Sequence, residues 1–272
     1  MEKTTTLGPG HRAAPGVVQI GVIAWYTLID YVRSRRFVIL LAIVFGLCAI
    51  LILIFGNVLF ELEQLAPSVA LFCGIFFGSD AIAGEFQNKT GYFSIPNPIR
   101  RSSIYMGKWV AAYVGSSFIL AIFTAVMVGL GFAYADLPSQ FGLSIVFTWV
   151  FLAAELGCVF FISSISKSML ISVFLDLMLL LWASMVMQDF AGLIPVEPWF
   201  LLTYGGQIIA SILITPYPPH KMIGPNAFFY KGIGGAMATV FTPTIPEGLI
   251  IMGVYFIITM VLGLLIFERK EL

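Results

Sequence analysis

The sequence is poor in charge. Only 10% of its 272 residues are Asp, Glu, Lys or Arg, and 14 basic residues balance 14 acidic ones. A soluble domain needs roughly a quarter of its residues charged to solvate its surface, so the soluble globular class is excluded. Zero net charge without a basic polar domain also argues against a nucleic-acid partner. Cysteine is scarce too: Cys48, Cys73 and Cys158 sit in apolar stretches, with no CxxC and no neighbouring histidine. They read as small buried hydrophobes, not as a disulfide framework or a metal centre. Of the two histidines, His11 lies in the N-terminal tail and His220 reads as a lone, solvated imidazole. No GxxxxGK[ST] run is present, so the chain has no phosphate-cradling loop of its own. Nucleophilic triads and paired catalytic acids are absent as well. Neither an enzyme nor a cofactor on this chain is expected.

What the sequence has in abundance is apolar surface: 60% hydrophobic residues, 15% aromatic, and a mean hydropathy of +1.00. The runs are continuous, without the alternation of a membrane β-barrel. They predict an all-α integral membrane protein. Six windows are long enough to cross ~30 Å of hydrocarbon at ~1.5 Å per residue. They are 37–56, 65–83, 109–135, 141–166, 169–188 and 248–267. Residues 1–16 lack the apolar core of a signal peptide and read as a disordered cytoplasmic tail. Lys3, Arg12, Arg33, Arg35, Arg36, Lys89, Arg100, Arg101, Lys108, Lys167, Arg269 and Lys270 fall on one side of the six-span arrangement, 12 of the 14 basic residues. The excess of Lys and Arg places that side, with both termini, in the cytoplasm. Glu61, Glu63, Asp136, Asp189, Glu197 and Glu247 fall on the other.

Two segments are neither simple spans nor simple loops. Residues 17–36 are helical by period: Val17, Ile20, Gly21, Ala24, Trp25, Leu28, Tyr31 and Val32 share one face. Arg33, Arg35 and Arg36 close the segment. This is the pattern of an amphipathic helix in the membrane interface, with Trp25 and Tyr31 as headgroup-level anchors. The basic cluster alone also serves as a topology signal, and both readings can hold. Residues 189–247 are proline-rich and predict an extracytoplasmic or re-entrant segment, in which 199–214 is apolar enough for a short helix. Thr244 is a candidate cap for the last span, with Pro246 in its first turn.

The most informative stretch is the loop Glu85-Phe-Gln-Asn-Lys-Thr-Gly-Tyr-Phe-Ser-Ile-Pro-Asn-Pro-Ile-Arg-Arg, which runs on to Gly107-Lys108. The preceding helix should continue to about Gln87. Pro96 and Pro98 forbid an unbroken helix, and Asn97-Pro98 is a good start for the next one. A helical hairpin over 84–108 results, with Tyr92, Phe93 and basic residues at its tip. An aromatic and charged tip suits docking to a protein partner. An ordinary basic loop that enforces topology is the simpler alternative.

These residues resemble those of the permease subunits of ATP-binding-cassette (ABC) transporters of the type-2 exporter class, including relatives of the nitrous-oxide-reductase maturation permease. Glu85, Thr90, Gly91, Pro98, Arg101, Gly107 and Lys108 match that class, with the Thr-Gly order reversed from the commoner pair. The Arg-Ser-Arg-Arg-Phe ending of the amphipathic segment and the short turn Ser163–Ser168 are also similar. The likeness extends to about Gln188. It implies a coupling hairpin in which Glu85, Thr90, Gly91, Tyr92, Phe93, Pro98, Arg100, Arg101 and Lys108 meet a separate cytoplasmic ABC ATPase. ATP and magnesium would bind on that partner. It further implies a second permease copy or paralogue, hence a dimer, in the plasma membrane of a prokaryote. An extracytoplasmic accessory protein would fit the long 189–247 segment.

Two carboxylates lie inside predicted spans. Glu155 is about 15 Å and Asp176 about 11 Å from the cytoplasmic end of its span. An Asp at a helix centre costs on the order of 3 kcal/mol, which the apolar remainder of 169–188 offsets, so insertion needs no partner. The pair can serve a proton, a cation or a substrate. It can equally be two neutral carboxyls hydrogen-bonded within the bundle. The sequence thus predicts an ABC permease that exports a substrate. The rivals are a mechanical transducer acting on an extracytoplasmic partner, and an ion- or proton-coupled carrier using Glu155 and Asp176.

Overall fold

The computed structural model describes residues 16–55, 58–87, 100–134, 138–194, 196–225 and 237–270. Away from water a helix satisfies its own backbone groups, and the long apolar runs all become helical. Helices α1 (Gly16–Arg33), α2 (Arg36–Phe55), α3 (Val58–Gly78) and the short α4 (Ala83–Gln87) come first. They are followed by α5 (Arg101–Tyr134) and α6 (Phe141–Ile165). Helix α7 (Met169–Asp176) continues through a π-helical stretch, Leu177–Ala183, into α8 (Ser184–Leu193). Two short helices, α9 (Leu202–Gly206) and α10 (Ile208–Ser211), precede strands β1 (Lys221–Pro225) and β2 (Met237–Phe241) and the final helix α11 (Ile245–Arg269).

Five stretches are long and apolar enough to cross a membrane: Ala66–Gln87, Arg101–Ala133, Phe141–Ile165, Met169–Gly192 and Ile245–Arg269. Helix α2 adds the shorter apolar stretch Phe37–Gly46. The chain is an all-α membrane protein with one small hairpin. Helix α6 is its axis: Phe151, Leu152, Leu156, Val159 and Phe160 are buried, and α3, α5 and α11 pack around it. Small residues permit the close approach that holds membrane helices together. A Cβ on Gly157 would lie 2.6 Å from Thr259 Oγ1, and one on Gly248 only 2.9 Å from Gly205 O. Helix α5 has 34 residues and a length of ~50 Å, which exceeds ~30 Å of hydrocarbon by several turns.

Five expectations change in detail. The amphipathic helix ends at Arg33 rather than Arg36, because Arg35 takes a left-handed conformation (φ 59°) and turns the chain into α2. It buries one face and exposes the other, with a buried and half-buried stripe through Ile20, Ile23, Ala24, Thr27, Leu28 and Tyr31, so Tyr31 packs inside the protein instead of anchoring at headgroup level, while Trp25 is 64% exposed. The cause is tertiary. Helix α1 lies along α5 at Gly107, where a Cβ would stand 3.0 Å from Ile20 O, and Tyr31 donates to Phe77 O on α3 at 2.9 Å.

The second predicted helix reaches Gln87 but is broken at 79–82. Ser163 Oγ on α6 donates to Ser79 O (2.8 Å) and accepts from the amides of Ile82 (3.2 Å) and Ala83 (2.9 Å). One hydroxyl thereby serves both sides of the break. The next helix starts at Arg101, not Pro98: Arg100 is outside it, and its carbonyl accepts from Ser103 N and Ile104 N. Asn97 and Pro98 lie outside the described residues.

In the proline-rich segment, α9 and α10 tuck against α3, α6 and α11, burying Leu202, Tyr204, Ile208 and Ile209. An antiparallel β1–β2 hairpin, pairing Lys221 with Phe241 and Met222 with Val240, accompanies the short helices. Prolines hid it, since Pro225 ends one strand and Pro243 follows the other.

Candidate functional site

The roots of the loop between α4 and α5 are held from all sides. Lys108 Nζ on α5 pairs with Glu85 of α4 at 2.5 Å and also donates to Ala81 O at 2.7 Å. The two side chains are only 17% and 20% exposed, so the pair is mostly shielded from water. Gln87 Oε1 at the end of α4 accepts from Met169 N of α7 at 2.9 Å. On the other root, Arg100 N donates to Gln19 Oε1 of α1, and Arg101 Nη1 donates to Glu268 O (3.2 Å) in the last turn of α11 and to Lys270 O (3.0 Å) just after it. Lys270 Nζ caps the end of α6, donating to Ser164 O (3.0 Å) and Ser166 O (2.9 Å), and lies 4.0 Å from the centre of the Phe86 ring. Burial, and then repulsion from Lys167, push the Lys270 ammonium below its usual range. The carbonyls it caps sit at a helix C-terminus, where a cation is favoured.

The structure therefore pairs Glu85 with Lys108 and bonds Arg100 to α1 and Arg101 to the end of α11, while Gln87 joins α4 to α7 and Lys270 joins the end of α11 to that of α6. Thr90, Gly91, Tyr92, Phe93 and Pro98 lie outside the described residues. Arg33 and Arg35 are exposed at the α1–α2 turn and Arg36 opens α2. Gly107 has the unforeseen task of admitting the α1 backbone. A cavity of about 400 Å³ beside the pair is lined by Tyr26, Asp30, Asp80, Glu85 and Lys108.

Glu155 and Asp176 are both fully buried, and they lie within electrostatic reach of one another. The Glu155 carboxyl rests on α3 at Gly74, where any Cβ would overlap it. Asp176 immediately precedes the π-helical stretch. Among the described residues neither carboxyl has a hydrogen-bond partner at standard distance. Such interior carboxyls are costly in the hydrocarbon unless neutral or occupied. A separate cavity of about 710 Å³ opens between α3, the π-helical stretch and α10, and presents Ser68, Ser184, Gln188, Thr203, Gln207 and Ser211 among apolar walls.

Sequence reasoning missed a third cluster, at the opposite end of α11 from Arg101. Glu197, His220 and Glu247 each place one ligand atom within 4.8 Å of the others. His220 is thus no lone imidazole. Its partners lie 23 and 27 positions away in sequence, a spacing that matches no motif. The available signal was one histidine in a segment bounded by two acids.

The described residues form a mainly helical membrane bundle in which the residues flanking the connection from α4 to α5 are tied to neighbouring helices. The chain belongs to the ABC-2 family transporter proteins, whose pattern it matches over residues 47–272. No curated protein matches it. As a member of that family it is an integral membrane permease subunit of an ABC transporter. Subunits of this kind work with a cytoplasmic ABC ATPase and pair within the membrane.

Proposed function

We propose that this permease drives export of a substrate in response to ATP hydrolysis on the separate subunit, through the hairpin that Glu85 and Lys108 close. One observation carries the reading: the two roots of the loop are bonded to each other and to α1, α7 and the end of α11. A push on residues 88–99 is then delivered to the whole bundle rather than dissipated in a flexible connection. In this arrangement the end with Glu85, Arg101 and Lys270 faces the cytoplasm, as do both termini, in the plasma membrane of a prokaryote. ATP and magnesium stay on the partner. Two permease copies, or one with a paralogue, enclose the path, and the hydroxyl- and amide-lined cavity beside α10 is the part of it within one subunit. Glu155 and Asp176 are neutral polar filling next to that path.

Arg101→Glu and Phe93→Ala test the reading. Each should lower co-purification of the ATPase by about tenfold or more. Unchanged association together with unchanged ATPase stimulation overturns it. The β1–β2 hairpin, with Met222 and Val240 exposed, favours one further reading, in which the same strokes act mechanically on an extracytoplasmic partner. Substrate-stimulated ATPase activity in proteoliposomes separates the two, because a pure transducer has no cargo to stimulate it.

A further inference from the structure

The Glu197–His220–Glu247 cluster is built from three separate elements: the turn after α8, the residue before β1, and the first turn of α11. Each member has an outer partner that fixes how it points. Tyr204 donates to Glu197 Oε1 at 2.8 Å. Thr244 N donates to Glu247 Oε2 at 2.8 Å in the capping box of α11. His220 Nδ1 lies 2.9 Å from Thr242 O, and an oxygen there can only accept, so Nδ1 carries the proton. In the neutral ring Nε2 then keeps its lone pair, 3.5 Å from Glu197 Oε2.

Two acceptors thus face one another beside a second carboxylate. Among the described residues neither Glu197 nor Glu247 has a Lys or Arg ion pair. Lys221, the nearest basic residue in sequence, is directed instead to the Phe241 ring, 5.8 Å from its centre. Facing acceptors require a positive charge between them.

We propose that Glu197, His220 and Glu247 bind a divalent first-row transition cation, with zinc the best-matched. One imidazole nitrogen and two carboxylate oxygens suit zinc and disfavour calcium and magnesium, which take oxygen alone. Donors held ~2.1 Å from a tetrahedral ion stand ~3.4 Å apart, close to the 3.5 Å between Nε2 and Oε2. Glu247 approaches the ring on its Nδ1 side, at 3.9 Å, and with Oε2 held by the amide of residue 244 it completes the set through its other carboxylate oxygen. The Nδ1–H to carbonyl bond and the hydrogen bonds to both carboxylates are the outer shell that orients metal ligands. Side-chain exposures of 43% for His220 and 32% for Glu197 leave the ion a route from solvent and room for a water ligand. The bound ion fastens the 196–220 segment and the β-hairpin to the start of α11, about 30 Å from the Lys108 cluster. This assignment is independent of the coupling reading.

The test uses the full chain with a tag free of histidine, in lipid nanodiscs, equilibrated with zinc chloride and desalted. Metal analysis should find about one zinc per chain, and cobalt(II) in its place should give visible d–d bands. His220→Ala and Glu197→Gln should abolish both signals, while His11→Ala retains them. Tyr204→Phe, which keeps all three ligands, should weaken zinc affinity by about 10–100-fold, as loss of an outer-shell partner does. Zinc absent from the wild type, or bound equally by His220→Ala, overturns the proposal; the charge between the acceptors is then a proton on His220. If a ligand variant fails to fold, the wild-type cobalt spectrum and Tyr204→Phe still decide.

Discussion

The two ends of the bundle solve the same problem in opposite ways. At the basic end, helix termini are tied together by cations that the chain supplies itself: Lys108 on Glu85 and Ala81 O, Lys270 on the last carbonyls of α6, and Arg101 on those after α11. At the acidic end Glu197, His220 and Glu247 come together, and among the described residues neither carboxylate has a Lys or Arg ion pair. An end that is satisfied internally is stiff under all conditions and can transmit force. An end that awaits a cation is stiff only when the cation is present. The comparison therefore predicts strong effects where a shielded cation at the basic end is lost. At the acidic end it predicts weak effects of non-ligand substitutions unless metal is added.

The largest effect is expected from Lys108→Met. It removes the ammonium from a mostly shielded carboxylate, and breaking such a pair costs up to ~5 kcal/mol when fully buried. At the 17–20% exposure of these side chains a loss of about 2–3 kcal/mol is expected. Denaturant unfolding in detergent measures it. The double variant with Glu85→Gln should be less damaging than the sum of the singles by about 1–2 kcal/mol. Additive losses would show that the two residues act separately and that the end is not clamped.

The middle of the bundle provides the next test. A methyl group on Gly74 overlaps the Glu155 carboxyl, whereas one on Gly253 meets nothing within 4 Å. Gly74→Ala should cost about 2 kcal/mol, the usual result of overpacking a core, and Gly253→Ala close to nothing. Glu155→Gln has the same shape and leaves the fold and transport intact if the acid is neutral filling. Loss of transport at full stability would instead revive a coupled cation or proton at Glu155 and Asp176.

How much of this was legible in the sequence follows from where each interaction has its partner. Helix α6 matches its apolar window to within one residue, because run length and the Ser-Lys-Ser turn are local signals. The start of α11 was equally readable, since Thr244 and Glu247 are three positions apart. By contrast, the break after α3 depends on Ser163, some 80 positions away, and the docking of α1 depends on the space left at Gly107. Composition is silent on such distant partners. The same limit hid the acidic cluster, whose three members are scattered over fifty positions. Glu85 and Lys108 were singled out by resemblance, but that they meet each other is a product of the fold.

Thr244→Ala sharpens the contrast at the acidic end. It weakens the capping box of α11, and loss of an N-cap side chain costs about 1 kcal/mol. The backbone amide of residue 244 still reaches Glu247 Oε2, so the metal set survives. Added zinc should therefore raise the unfolding midpoint of this variant by as much as it raises that of the wild type. A smaller rise would place the Thr244 hydroxyl among the groups that orient the carboxylate.

The smallest change in stability, and the most telling, belongs to Arg101. Its guanidinium donates to Glu268 O and Lys270 O, but these bonds are exposed and water can replace them. Arg101→Ala should shift the unfolding free energy by no more than about 0.5 kcal/mol, as surface changes do. Lys108, two turns further along the same face of α5 and shielded, should cost several times more. If Arg101 holds the end together, unfolding will register its loss. If it faces the ATPase, unfolding stays unchanged while association with the ATPase falls. The two measurements on one variant separate a residue that builds the clamp from one that the clamp presents.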